Sequence, residues 1–136
     1  MKTRQIRILL VEDNFKDMMF PLESMMSVKS EWCLLAHVDC LEDALIRIRE
    51  ESWDVILLDL VLPDSMGLNT LERVRKEVPD VPIIVLTNLD NSKFGIRALE
   101  FGADEFLSKR NVDARQLVRT VLKVIRQRSN NLAACV

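Results

Sequence analysis

Short apolar runs alternate with amphipathic stretches along the chain. Ile6 to Val11, Cys33 to Val38, Val55 to Leu58 and Ile83 to Leu86 are nearly continuous apolar runs, and Glu105-Phe106-Leu107 is a shorter one. Continuous rather than alternating apolar character predicts strands covered on both faces, as in a parallel sheet. Between the runs, hydrophobic positions recur at helical spacing. The stripes are Phe15, Met18, Met19, Leu22 and Met26, then Leu41, Ala44, Leu45 and Ile48, then Leu68, Leu71, Val74 and Val78. A further helix is predicted from Ser92 to Phe101, closed by Gly102 as its C-terminal cap. The last stripe is Leu117, Val118, Val121, Leu122 and Ile125.

Parallel strands need crossover connections, and these pack right-handed. Strand and helix repeated five times therefore predict an α/β domain with a doubly wound, five-stranded parallel sheet flanked by five helices. The flavodoxin-like strand order 2-1-3-4-5 is the one expected. Pro21 interrupts the first stripe and predicts a kink there. Residues 1–128 are expected to form the domain. Residues 129–136 carry no stripe and read as a frayed end or the start of a linker.

Composition narrows the class. A chain of 136 residues, 49% hydrophobic and 29% charged, fits one folded domain. The net charge of -2 argues against a broad basic surface for nucleic acid. No apolar run approaches the ~20 residues of a membrane helix, and Met1 to Gln5 leads straight into a strand-like run without a leader cleavage site. Cys33, Cys40 and Cys135 are odd in number and form no CxxC pair, which fits free thiols in a reducing cytoplasm.

In open α/β sheets the ligand sits at the carboxyl ends of the strands, where strand order reverses. Glu12 and Asp13 follow the first run, Asp59 the third, Thr87 the fourth, and Lys109 lies just past the fifth. Each has a plain structural alternative. Acidic residues at strand ends often cap helices, as Asp13 or Asn14 could, and Lys109 beside Arg110 could be a solvated loop. Together they make a site. With the first and third strands adjacent, Glu12, Asp13 and Asp59 crowd, and such carboxylates repel unless a cation joins them. Hard oxygen ligands suit Mg²⁺, which keeps waters and leaves room for a phosphate oxygen. A carboxylate nucleophile, here Asp59, can form an acyl phosphate. The metal, Lys109 and the Thr87 hydroxyl would then cover the phosphoryl oxygens. His37 lies mid-run in the second strand and reads as a core or edge residue.

Four segments carry a family resemblance. They are Ile8-Leu9-Leu10-Val11-Glu12-Asp13-Asn14; Val55-Ile56-Leu57-Leu58-Asp59-Leu60-Val61-Leu62-Pro63-Asp64 with Gly67 and Leu68; Pro82-Ile83-Ile84-Val85-Leu86-Thr87; and Gly102-Ala103-Asp104-Glu105-Phe106-Leu107-Ser108-Lys109. In this order and spacing the chain, from about Ile6 to Arg126, resembles the receiver domain of two-component response regulators. The resemblance implies that Asp59 is the phosphoacceptor. It implies that Asp13 binds Mg²⁺ directly, Glu12 through water, and Val61 through its backbone carbonyl. Thr87 and Phe106 match the switch pair, in which the hydroxyl moves toward the phosphoryl group and the ring turns inward. The implied donor is a phosphohistidine on a sensor kinase or phosphotransfer protein. Output passes through the face of the fourth helix, fifth strand and fifth helix, to a partner, a second copy or an attached module.

The chain departs from the family at three points. Arg110 stands where proline usually follows the lysine, so the Lys109–Arg110 bond is open to the trans form. Phe106 lacks a tyrosine hydroxyl, and Asn88 is larger than usual and could narrow access for attacking water. The competing reading is a Mg²⁺-dependent aspartyl-phosphate phosphohydrolase. Val61 disfavours it, because many such enzymes carry a second Asp there, and only slow self-dephosphorylation is expected. A nucleotide or flavin module is disfavoured by the absence of GxGxxG and Walker loops and by a total of three glycines.

Overall fold

A computed structural model describes residues 5–14, 16, 22, 32–88 and 92–134. The five apolar runs form the strands β1 (Ile6–Val11), β2 (Cys33–Val38), β3 (Val55–Asp59), β6 (Ile83–Thr87) and β7 (Glu105–Ser108). They assemble into one five-stranded sheet in the order β2-β1-β3-β6-β7, with every pairing parallel. This is the expected order, with two short extra strands counted along the chain. Those strands, β4 (Val61–Leu62) and β5 (Ser65–Met66), pair antiparallel with each other in a hairpin that the sequence reading did not foresee. Two-residue strands are too short to leave a periodic signal.

Four helices are described: α1 (Leu41–Glu50), α2 (Leu68–Glu77), α3 (Ser92–Glu100) and α4 (Ala114–Ala134). The expected fifth, the Met-rich stripe with Pro21, lies outside the described residues except for Lys16 and Leu22. Both of these are helical, and Leu22 is fully buried. The backbone of α4 stays helical to Ala134, so residues 129–134 continue the helix beyond the boundary expected at 128. An established hydrogen-bond ladder adds one bond per residue without needing a core face, and beyond Ser129, Asn130 and Asn131 the residues Leu132, Ala133 and Ala134 favour it.

Alternation along the strands divides the core between two faces. Leu9, Val11, Ile56, Leu58, Ile83 and Val85 pack under α1, α2 and α3, through residues such as Leu41, Leu45, Leu71, Val74 and Ala98. Ile8, Leu10, Val55, Leu57, Ile84, Leu86 and Leu107 pack with Leu22 and the α4 residues Leu117, Val121 and Val124. The central strands β3 and β6 are buried at every position, as their continuous apolar sequences require. The outer strand β2 alternates more, and His37 is exposed there.

Polar groups fix the connections at the two ends of the sheet. At the amino ends of β6 and β7, the half-buried Arg75 of α2 donates to the carbonyls of Val78, Val81 and Gly102 and to Asp104 Oδ1 at 2.5 Å. Arg128 of α4 donates to the same carboxylate at 2.6 Å, and the Ile83 amide reaches it at 3.1 Å. One carboxylate thus ties α2, α4, β6 and the α3–β7 turn together. That turn contains Gly102 at φ 111°, the left-handed position expected of a C-terminal cap. At the other end, Asp64 of the β4–β5 turn accepts from the Leu41 and Glu42 amides, each at 2.9 Å. Helix α1 follows Cys40, whose side chain makes no cap, so Asp64 supplies the missing acceptors from another element.

Asp104 is the joint of the first network. Asp104→Ala is expected to lower the free energy of unfolding by about 3 kcal/mol, because two guanidinium groups lose their partner in a partly buried setting. Urea denaturation checks this; a loss below about 1 kcal/mol would show that the network is ornamental.

Candidate functional site

The carboxyl ends of β1, β3, β6 and β7 converge, and backbone hydrogen bonds fix where each chain leaves the sheet. The Glu12 amide donates to the Val38 carbonyl at 3.0 Å, and the Lys109 amide donates to the Thr87 carbonyl at 2.8 Å. Asp59 and Thr87 are the last residues of β3 and β6 rather than the first residues after them. They remain in the sheet register, with Asp59 opposite Leu86 and Thr87 opposite Ser108. A side chain held by a ladder position is more precisely placed than one on a free loop.

The expected acidic cluster is present. Carboxylate oxygens of Glu12, Asp13 and Asp59 all lie within 4.8 Å of one another. Glu12 is fully buried and Asp59 nearly so, while Asp13 is exposed. Lys109, 8% exposed, bridges the buried pair. Its ammonium donates to Asp59 Oδ2 at 2.7 Å and touches Glu12 Oε2 in an ion pair that makes no well-directed hydrogen bond. Asp59 Oδ1 accepts from the Val61 amide at 2.9 Å, and Glu12 Oε1 accepts from the Asn14 amide at 2.9 Å. His37 approaches the site through the Glu12 backbone, with Nε2 2.6 Å from that carbonyl.

Burial sets the electrostatics. Desolvation pushes the Glu12 carboxyl up to about 7; the Lys109 ammonium and the Asn14 amide oppose the rise, and Asp59 adds to it. Burial alone would lower the Lys109 ammonium, but its contacts with Asp59 and Glu12 outweigh burial and raise it. The ammonium therefore stays charged and holds carboxylates that would otherwise repel.

These residues fit magnesium on an observation of the site itself. The donors are hard oxygens on three residues that lie within 4.8 Å of one another, one of them the solvent-accessible Asp13. Thr87 is 6% exposed at the end of β6. Phe106 lies on the face of β7 that packs into the α1–α3 core, beside Val85. The Lys109–Arg110 bond is trans. In place of a proline corner, the loop turns through Asn111 and Val112 amides donating to the Ser108 carbonyl at 3.2 and 3.1 Å.

Two supporting features escaped the sequence reading. The β4–β5 hairpin holds Val61 beside Asp59, and it is closed by the Gly67 amide on the Leu60 carbonyl at 2.7 Å and by Ser65 Oγ against Thr70 Oγ1 at 2.5 Å. Asp64 clamps that hairpin to α1. A helix starting after Cys40, a poor cap, was the available signal that an acceptor must come from elsewhere.

A family model described as the response regulator receiver domain matches residues 8–122. Among curated proteins, the chain is 39% identical over 87 residues to the regulatory protein LuxO of Vibrio cholerae, covering 64% of this chain and 19% of that protein. It is 32% identical over 104 residues to the cell cycle response regulator CtrA of Brucella ovis, covering 76% of this chain and 44% of that protein. The chain spans less than half the length of these relatives. Among solved structures, the signal receiver domain of a putative LuxO repressor protein from Vibrio parahaemolyticus superposes with a TM-score of 0.81 at 24% identity, covering 96% of this chain and 98% of that one. With a match spanning residues 8–122 and the expected sheet order, the chain belongs to the response regulator receiver domain family.

Proposed function

We propose that Asp59 is the residue that accepts the phosphoryl group, with Glu12, Asp13, Asp59 itself and the Val61 carbonyl holding Mg²⁺ and with Thr87 and Lys109 as its remaining polar partners. The observation that carries this reading is the clustering of three carboxylates at the carboxyl end of the sheet, two of them, Glu12 and Asp59, held on one buried ammonium. When bound, magnesium supplies positive charge to the phosphoryl oxygens. The chain's own residues do the rest. An Asp59 oxygen attacks phosphorus, the bond to the donor nitrogen breaks, and an acyl phosphate forms. Lys109 already lies against Asp59 and follows the new charge, while the Val61 amide keeps the carboxylate oriented. Thr87 stands at the end of the neighbouring strand, at the same end of the sheet.

The donor on this reading is a sensor histidine kinase or phosphotransfer protein. The acyl phosphate hydrolyses slowly in cytoplasm, and the signal leaves through α3, β7 and α4. Support for that exit face comes from Ile96, Leu99 and Leu122, large apolar residues exposed on α3 and α4. The same face could serve a second copy or an output module in a longer protein. No helix among the described residues is long and apolar enough to cross a membrane.

Two measurements test the site. Incubation with acetyl phosphate and Mg²⁺ is expected to add one phosphate by intact mass, and Asp59→Asn is expected to abolish the addition; undiminished labelling of that variant would move the phosphoacceptor elsewhere.

The second concerns pH. Glu12 titrates near 7 in the folded chain against 4.5 as its ordinary value. The folded state then binds more protons than the unfolded state across that window, so stability falls as pH rises. Without metal, the wild type is expected to lose stability from about pH 4.5 to 7 relative to Glu12→Gln, and Mg²⁺ is expected to restore much of it at the upper end. Parallel pH profiles for the two proteins would contradict the raised Glu12 carboxyl.

A further inference from the structure

Gly95 lies inside α3, where glycine is less favourable than alanine. Its backbone does not require glycine, because only Gly67 and Gly102 have positive φ. Space does. A Cβ built on Gly95 would overlap the outer edge of the Phe106 ring at Cζ, Cε1 and Cε2. The ring therefore occupies the volume that a side chain at 95 would fill. The next small residue on this face, Ala98, is fully buried, while Ile96 and Leu99 point outward. The inner face of α3 is thus a shallow seat, and Phe106 rests in it.

The seat is next to the site. Phe106 pairs with Val85, two residues before Thr87 on the adjacent strand, and Thr87 pairs with Ser108, two residues after Phe106. Residues two apart on a strand share a face, so Thr87 and Phe106 are diagonal neighbours on one face of the sheet. Helix α3, which carries Gly95, follows Thr87 in the chain after a short connection.

We propose that Gly95 is a positioning residue for the switch: by leaving its side-chain volume to Phe106 it sets where the ring sits, and so biases the arrangement of Thr87 that receives the phosphoryl group. This deepens, and rests on, the reading of Asp59 as phosphoacceptor. A methyl group at 95 and the ring in this seat exclude each other. Whatever factor alanine removes from the seated state, linkage passes to the affinity of any ligand that distinguishes that state from the others.

The test is a double-mutant cycle on the full chain: wild type, Gly95→Ala, Phe106→Ala and the double variant. Thermal unfolding without ligand is the first readout. Gly95→Ala alone is expected to lower Tm by about 3 °C or more, because the ring must leave its seat. In the Phe106→Ala background the same change is expected to raise Tm, because alanine is the better helix former. The same sign in both backgrounds would overturn the seat.

Affinity for beryllofluoride in Mg²⁺, as a mimic of the phosphoryl group, is the second readout. Gly95→Ala is expected to change it at least about fivefold, with little further effect once Phe106 is alanine. A coupled stability cycle with unchanged beryllofluoride affinity would overturn the role in the switch. Absence of beryllofluoride binding in the wild type would instead overturn the phosphoacceptor reading and the switch role together, with the unfolding cycle still deciding the seat.

Discussion

Everything at the carboxyl end of the sheet is organised by one ammonium group. Lys109 is buried between Asp59 and Glu12, and neither carboxylate has another cationic partner shown beside it. Two carboxylates this close cannot both ionise in a low-dielectric site without positive charge. Lysine suits the task better than arginine would. It is a compact point charge on a flexible stem, able to follow the charge when a phosphoryl group is added. Burial pushes the Glu12 carboxyl up to about 7, and the Lys109 ammonium falls short of offsetting that rise. That shortfall is what a divalent cation would supply.

The fold delivers these charges by register rather than by loop contacts. β1 and β3 are adjacent in the sheet, which brings the acidic pair after Val11 next to Asp59. β6 and β7 then place Thr87 and Lys109 on the far side. Rigid placement at this end is matched at the opposite end, where Arg75 and Arg128 share Asp104 and lock α2 and α4 to the connections between strands. Helix α3 lies between Thr87 and β7 in the chain. Its seat for Phe106 lies where a change at Asp59 can be passed to the exposed residues Ile96 and Leu99.

The strands were legible because a doubly covered parallel sheet writes itself as unbroken apolar runs. The five site residues were legible because strand ends are where such runs stop. Glu12, Asp13, Asp59, Thr87 and Lys109 all lie at the end foreseen, and the sheet brings the first three and Lys109 into contact. Other features were not legible. The β4–β5 hairpin has strands too short for periodicity. Asp64 acts on a helix more than twenty positions earlier in the chain, and Arg75 on a turn equally distant; side-chain bonds to remote backbone leave no local pattern. Gly95 reads in sequence only as a weak point in a helix, and its reason appears once β7 is packed against α3. The length of α4 was underestimated because a stripe marks the buried part of a helix, not its end.

The account makes Lys109 and a divalent cation competitors for the same carboxylates, and their competition can be measured directly. Titration of Mg²⁺ into wild type and Lys109→Met at neutral pH is the experiment. Removing the ammonium leaves the cluster with more negative charge to offer, so the variant is predicted to bind Mg²⁺ at least about fivefold more tightly. Equal or weaker binding by Lys109→Met would contradict the claim that this ammonium balances the acidic site.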